Sequence, residues 1–158
     1  MRKRFCAQNS APKRVPAKRI LLDTGPLAAL FNRADRAHGR AKAWFESSTA
    51  LMVTTEAVVT QLSYLLEDNT ALQTVALLWV EQARRHGRLQ IHPVEDHAVL
   101  ALLLERYDDL PCDYADATLI ALANSLDIRE VATLDQRDFS IYRLNRNHSF
   151  KLIFPAAQ

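Results

Sequence analysis

Four acidic residues of this 158-residue chain stand where a carboxylate can do chemistry. Asp23 closes the apolar run RILLDT, and Asp135 closes VATLD. Glu56 opens the helical stretch that follows LMVT, and Asp116 lies in the first turn of the one that begins at Asp113. Ligands of an open α/β sheet gather outside the carboxyl ends of its strands, so these four can converge on one edge. Clustered carboxylates repel by about 4 kcal/mol per pair at 4 Å with an effective dielectric near 20. A divalent cation neutralises such a set, and hard oxygen donors select Mg²⁺ or Mn²⁺. The chemistry open to these residues is therefore that of a metal site.

Each acid also has a structural reading. Asp113 followed by Asp116 fits a helix N-cap with an acid three residues on. Glu56 complements a helix dipole, Asp23 can cap the helix that begins near Pro26, and Asp135 with Asp138 can be turn acids. What favours a metal site is the coincidence of several acids at strand ends, above all Asp23 and Asp135, each directly behind an apolar run.

Positioning these acids requires strands that end together. RILLDT, closed by Asp23, Gly25 and Pro26, reads as a buried strand running into a turn. Helical segments follow in PLAALFN and from about Asp35 to Glu46, where Ala37, Ala41, Trp44 and Phe45 share a face. LMVT at 51–54 is a second strand; 55–68 and 69–86 are helical, the latter stopped by Gly87. LQIHPV at 89–94 is a third strand, followed by helices at 95–107 and 113–126. VATLD at 131–135 and FKLIF at 150–154 complete the set. Strands alternating with helices predict an α/β domain over residues 19–158, with a mainly parallel, about five-stranded sheet covered on both faces.

Composition narrows the classes further. The three glycines, Gly25, Gly39 and Gly87, are isolated, which excludes a Walker loop or a GxGxxG turn. The longest apolar run, AVLALLL at 98–104, is far short of the roughly 20 residues that span a bilayer, and no signal-peptide apolar region follows the N-terminus. Cys6 and Cys112 form no CxxC pair, and the five histidines have no HExxH or zinc-finger spacing. A soluble, cytoplasmic protein with no membrane partner is expected. The formal charge of +2 hides a split: seven of the 20 basic residues and no acid fall in residues 1–19. That leaves 13 basic against 18 acidic residues over 20–158. Residues 1–18 read as a disordered basic arm on an acidic body.

ILLDTGPLAAL, VTTEAVVTQLSYLL, DYADATLIALA and VATLDQRDFSIYR, in that order, resemble the four acidic motifs of the PIN-domain ribonucleases. The branch they look most like is the VapC-type toxins of bacterial toxin–antitoxin operons. The resemblance spans residues 19–145 and implies a three-layer α/β/α sandwich, usually paired as a homodimer. It implies that Asp23, Glu56, Asp116 and Asp135 are catalytic and hold Mg²⁺, with Mn²⁺ as substitute. It further implies metal-dependent endoribonuclease activity that leaves a 5′-phosphate, and a small antitoxin protein that blocks the site. Asp113, Thr133, Asp138 and Thr24 are secondary candidates, Thr24 reading equally as a turn residue. Asp35 and His38 lie in a DRAH stretch similar to one in many relatives; a helix cap and a surface histidine are their simpler reading.

RNA requires basic contacts beside such an acidic pocket, and Arg137, Arg143, Arg146 and the arm are candidates, with solvated surface as the alternative for each. The basic arm is the departure from the compact family pattern. Two other readings stay open: a haloacid-dehalogenase-like phosphohydrolase and a non-catalytic RNA- or partner-binding module of the same fold. The first places a nucleophilic aspartate at the end of strand one and an acid two residues later, where this chain has Gly25.

Overall fold

The computed structural model describes residues 18–156; the basic arm over residues 1–17, with Cys6, lies outside the described residues. Five strands form one all-parallel sheet: β1 (Arg19–Leu22), β2 (Leu51–Thr55), β3 (Leu89–His92), β4 (Glu130–Ala132) and β5 (Lys151–Leu152), in the spatial order β3-β2-β1-β4-β5. The intervening helices are α1 (Thr24–Phe31), α2 (His38–Ser47), α3 (Glu56–Leu65), α4 (Thr70–Arg85), α5 (His97–Arg106), α6 (Tyr114–Leu126) and α7 (Gln136–Ile141).

Strand order steps outward from β1 to β3 and then returns through β4 to β5. With the right-handed crossovers that parallel strands adopt, α1 to α4 cover one face and α5 to α7 the other. The result is the three-layer sandwich expected. Because both faces are covered, the strands carry continuous apolar runs: Ile20, Leu21, Leu22, Met52, Val53, Val131 and Ala132 are all buried. Each fully buried leucine contributes roughly 1.5–3 kcal/mol relative to exposure. Leu27, Val58, Leu62, Leu119, Ile120 and Phe139 close the helices onto this sheet. Among the described residues, no helix is long and apolar enough to cross a membrane.

The order reverses between β1 and β4, which makes their carboxyl ends the switch point where α/β sheets bind ligands. Leu22 pairs with Ala132, and the Asp23 N–H donates to the Ala132 carbonyl at 3.0 Å. Asp23 and Thr133 therefore leave the sheet side by side.

Several boundaries differ from the sequence reading. The fourth strand stops at Ala132, short of Asp135, because the Thr133 hydroxyl accepts the Asp135 N–H at 2.9 Å and turns the chain. Asp135 then caps α7, a six-residue helix absent from the sequence expectation, by accepting the Asp138 N–H at 3.1 Å. The third strand ends at His92, since Pro93 has no N–H for the ladder. Only two residues of FKLIF pair.

Candidate active site

Asp23, a candidate site residue, is also the cap of α1. Its Oδ1 accepts the Thr24 N–H at 2.6 Å, and its Oδ2 accepts the Thr133 hydroxyl at 2.7 Å. Only 7% of the residue is exposed. Burial pushes its carboxyl up from 3.8 to about 6; the bonds from Thr133 and Thr24 pull it down, and the nearby charges of Asp113 and Asp135 push it up.

Asp116 faces it from α6. Asp113 and Asp116 form a full capping box: Asp113 Oδ1 accepts the Asp116 N–H at 2.9 Å, and the Asp113 N–H reaches Asp116 Oδ2 at 3.4 Å. The Tyr142 hydroxyl also donates to Asp116 Oδ2, at 3.2 Å. Burial pushes the Asp116 carboxyl from 3.8 to about 7, helped by the charges of Asp23 and Asp113. Asp135 stands exposed at the head of α7, one residue beyond the turn that Thr133 holds. Asp138 is buried beside it, and burial followed by the neighbouring Asp135 raises its carboxyl. Glu56, the first residue of α3, is exposed and makes no side-chain hydrogen bond among the described residues.

Asp23 thus lies within electrostatic reach of Asp113, Asp116 and Asp135, and Asp113 of Asp116, while Glu56 belongs to the same edge by its place behind β2. The two clustered aspartates remain costly to ionise, and this is the condition a cation relieves. An ionised carboxylate has about four lone-pair sites. Each oxygen of Asp23 accepts one bond, and Asp116 Oδ1 and Asp135 Oδ2 accept none among the described residues. Acceptor capacity is therefore left over on three hard oxygen ligands, which fits Mg²⁺ or Mn²⁺. Among the described residues, no three His, Cys, Asp or Glu side chains close up into a ready cage. Mg²⁺ suits such an open set, since it binds through one or two carboxylates and keeps several waters.

Two supporting residues escaped the sequence reading. Gln61, on α3, accepts the Thr24 hydroxyl through Oε1 and donates through Nε2 to Asp113 Oδ2 at 2.5 Å. It ties the head of α1 to the cap of α6, so Thr24 is more than a turn residue. Tyr142, fully buried, packs 4.9 Å from Tyr107 and carries the hydroxyl bonded to Asp116.

The basic candidates separate. Arg137 is exposed on α7 and acts on Asp138. Arg143 spends one guanidinium nitrogen on the carbonyls of Ser140, Ile141 and Tyr142, closing the C-terminus of α7. Arg146 lines a cavity with Asn124, Asp127 and Arg129, at the amino end of β4 and away from the acids. Asp35 does not cap α2; its Oδ1 accepts the Ala37 N–H at 2.7 Å in a turn before it. His38 Nδ1 donates to the Ala29 carbonyl at 2.9 Å. The phosphohydrolase alternative loses its second acid for a steric reason as well. A Cβ at Gly25 would meet Leu134 Cβ at 3.0 Å, inside the turn that carries Asp135.

A parallel α/β sandwich with carboxylates at its switch point is the architecture the sequence motifs implied, and the PIN domain family model matches residues 20–145. The chain belongs to the PIN-domain family. It is similar to Ribonuclease VapC26 of Mycobacterium tuberculosis, 27% identical over 124 residues that make up 78% of this chain and 92% of the relative. Its fold is shared by the crystal structure of M. tuberculosis VapC20, a sarcin–ricin loop cleaving toxin. The TM-score is 0.63 at 24% identity, covering 75% of this chain and 91% of that one.

Proposed function

We propose that this protein is a metal-dependent endoribonuclease and the toxin component of a type II toxin–antitoxin pair. The observation that supports the reading is that Asp23, at the β1/β4 switch point of a PIN-domain fold, lies within electrostatic reach of both Asp116 and Asp135. The kinship with VapC26 and VapC20 supports RNA as the substrate.

Asp23, Asp116 and Asp135, with Glu56 from α3, would hold one or two Mg²⁺ or Mn²⁺ ions. A bound cation supplies an acidified water as nucleophile and charge neutralisation at the phosphate and leaving oxygen. The remaining work falls to the chain. Thr133 holds Asp23 in one orientation and fixes the backbone of Asp135 with the same hydroxyl. Tyr142 and the capping box hold Asp116, and Gln61 holds Asp113. Glu56, exposed and without a bonded partner among the described residues, is free to orient an attacking water. Arg137 and the basic arm offset the repulsion between an acidic edge and RNA phosphates.

The partner half of the reading is supported by an apolar groove between α1, α2 and α4. It is lined by Leu30, Phe31, Phe45 and Trp79 and rimmed by Arg33 and Lys42. An antitoxin segment with apolar and acidic side chains suits that surface, and a homodimer is part of the same proposal.

The test is cleavage of RNA by the full chain, with end-group analysis of the fragments. We expect 5′-phosphate ends, no cleavage in EDTA, and recovery when Mn²⁺ is added in excess. Cleavage that persists in EDTA would rule out the metal mechanism.

A further inference from the structure

The first turn of α6 carries one large ring that the acid network does not use. Tyr114 is 45% exposed, yet its ring is not loose. It lies against His97, the first residue of α5, with ring centroids 6.5 Å apart and planes 27° from parallel. Its hydroxyl meets His97 Nε2 at 3.3 Å. Two helix starts thus hold an aromatic face in a set orientation while leaving it open to solvent. Tyr114 follows Asp113, the cap of α6, and shares the first turn with Asp116, its ring leaving that turn by a different face from the Asp116 carboxylate.

We propose that the Tyr114–His97 pair is a stacking platform for an unpaired nucleobase of the RNA, in a nucleotide flanking the one to be cut. The inference rests on the ribonuclease reading and extends it to the substrate's form. Glu95 and Asp96 directly precede His97, and Asp113 directly precedes Tyr114, so the chain entering each helix is acidic. A phosphate is repelled there, whereas the neutral face of a base is not, so the contact this rim permits is stacking. Every base has a π-face, so the platform is tolerant of sequence. It requires a base splayed out of a helix, which selects single strands, loops and bulges over paired RNA.

The experiment uses the full chain carrying Asp23→Asn, so that RNA is bound without being cut. The probe is a short fluorescent single-stranded RNA, together with the same RNA made abasic at each position in turn. Tyr114→Ala is expected to weaken binding about tenfold. Tyr114→Leu, which keeps bulk but no π-face, should weaken it similarly without lowering the melting temperature. Tyr114→Trp should recover most of the affinity, and Leu102→Ser, further along α5, should have no effect. The penalty of Tyr114→Leu should vanish for the one RNA whose missing base is the stacked one, because the two losses then coincide. Equal affinity for the Leu variant and its parent, or the same penalty on every abasic RNA, overturns the platform. If wild-type protein cuts RNA while Tyr114→Leu binds normally, only the platform falls. If the wild type neither cuts nor binds RNA, the ribonuclease reading falls with it.

Discussion

Thr133 and Asp23 are 110 residues apart in the chain, and the threonine hydroxyl donates to Asp23 Oδ2 at 2.7 Å. Thr133 Oγ1 in turn accepts the Asp135 N–H at 2.9 Å. One side chain therefore sets both the direction of the first acid and the turn that presents the fourth. The link exists because β1 and β4 are neighbours whose pairing ends at Leu22 and Ala132.

Removing that hydroxyl should be costly on two counts. Thr133→Val keeps the shape but leaves Asp23 Oδ2 and the Asp135 N–H without their partner. A stability loss of roughly 1–3 kcal/mol is expected from the unpaired buried groups. Cleavage should fall about 10–100-fold, as for other groups that orient metal ligands. Thermal melting and rate measurements on the one preparation check both, and a rate equal to wild type would show that Thr133 does not organise the site.

Stability in the absence of metal should carry the signature of Asp23. Its folded-state pKa is raised from 3.8 to about 6, so between those values the folded protein binds more protons than the unfolded chain. Folding stability then falls as pH rises through that window, and the carboxylate costs about 3 kcal/mol by neutral pH. Asp116, raised to about 7, extends the fall upward. Asp23→Asn should therefore melt higher than wild type at pH 7.5 in EDTA, with the gap closing toward pH 4. Added Mg²⁺ should stabilise the wild type more than the variant, since the cation binds the ionised form. A variant that melts lower at pH 7.5 would contradict the strained-carboxylate account.

The chain's charge split makes its own prediction. Residues 1–17 hold Arg2, Lys3, Arg4, Lys13 and Arg14 and no acid. Deleting them should weaken RNA binding, most at low salt, and flatten the salt dependence of affinity, because fewer counterions are released. Melting temperature and the rate at saturating RNA should not change. Loss of the fold or of all cleavage would show that the arm belongs to the domain.

What was legible in the sequence is what local pattern controls. RILL followed by Asp23 marks a buried strand and its end, and Asp113 with Asp116 marks a helix start whose capping box forms as expected. The apolar runs were enough to place five strands and the acids at one edge. Asp135 belongs one element further on than the sequence places it: VATL reads as strand to its end, and nothing local announces that Thr133 stops the strand and that Asp135 caps a six-residue helix. Gln61 and Tyr142 were invisible for a different reason. Their partners lie on other elements, 37 and 52 residues away for Gln61 and 26 for Tyr142, and such pairs exist only once the sheet order is known. For Arg143 and Arg146, open between RNA contact and solvated surface in the sequence, charge is legible and direction is not. One is bound to the carbonyls that end α7, and the other sits at the opposite end of the sheet.

The central claim is that the Asp23 carboxylate at the β1/β4 switch point is a ligand on which RNA cleavage depends. The most direct measurement is the cleavage rate of Asp23→Asn against wild type at saturating Mg²⁺, at neutral pH and on protein whose melting curve has been recorded. A fall of at least ~100-fold is predicted, the upper end of what groups behind a metal ligand cost, in a variant that remains folded. A folded Asp23→Asn variant that cuts RNA at the wild-type rate would contradict the account.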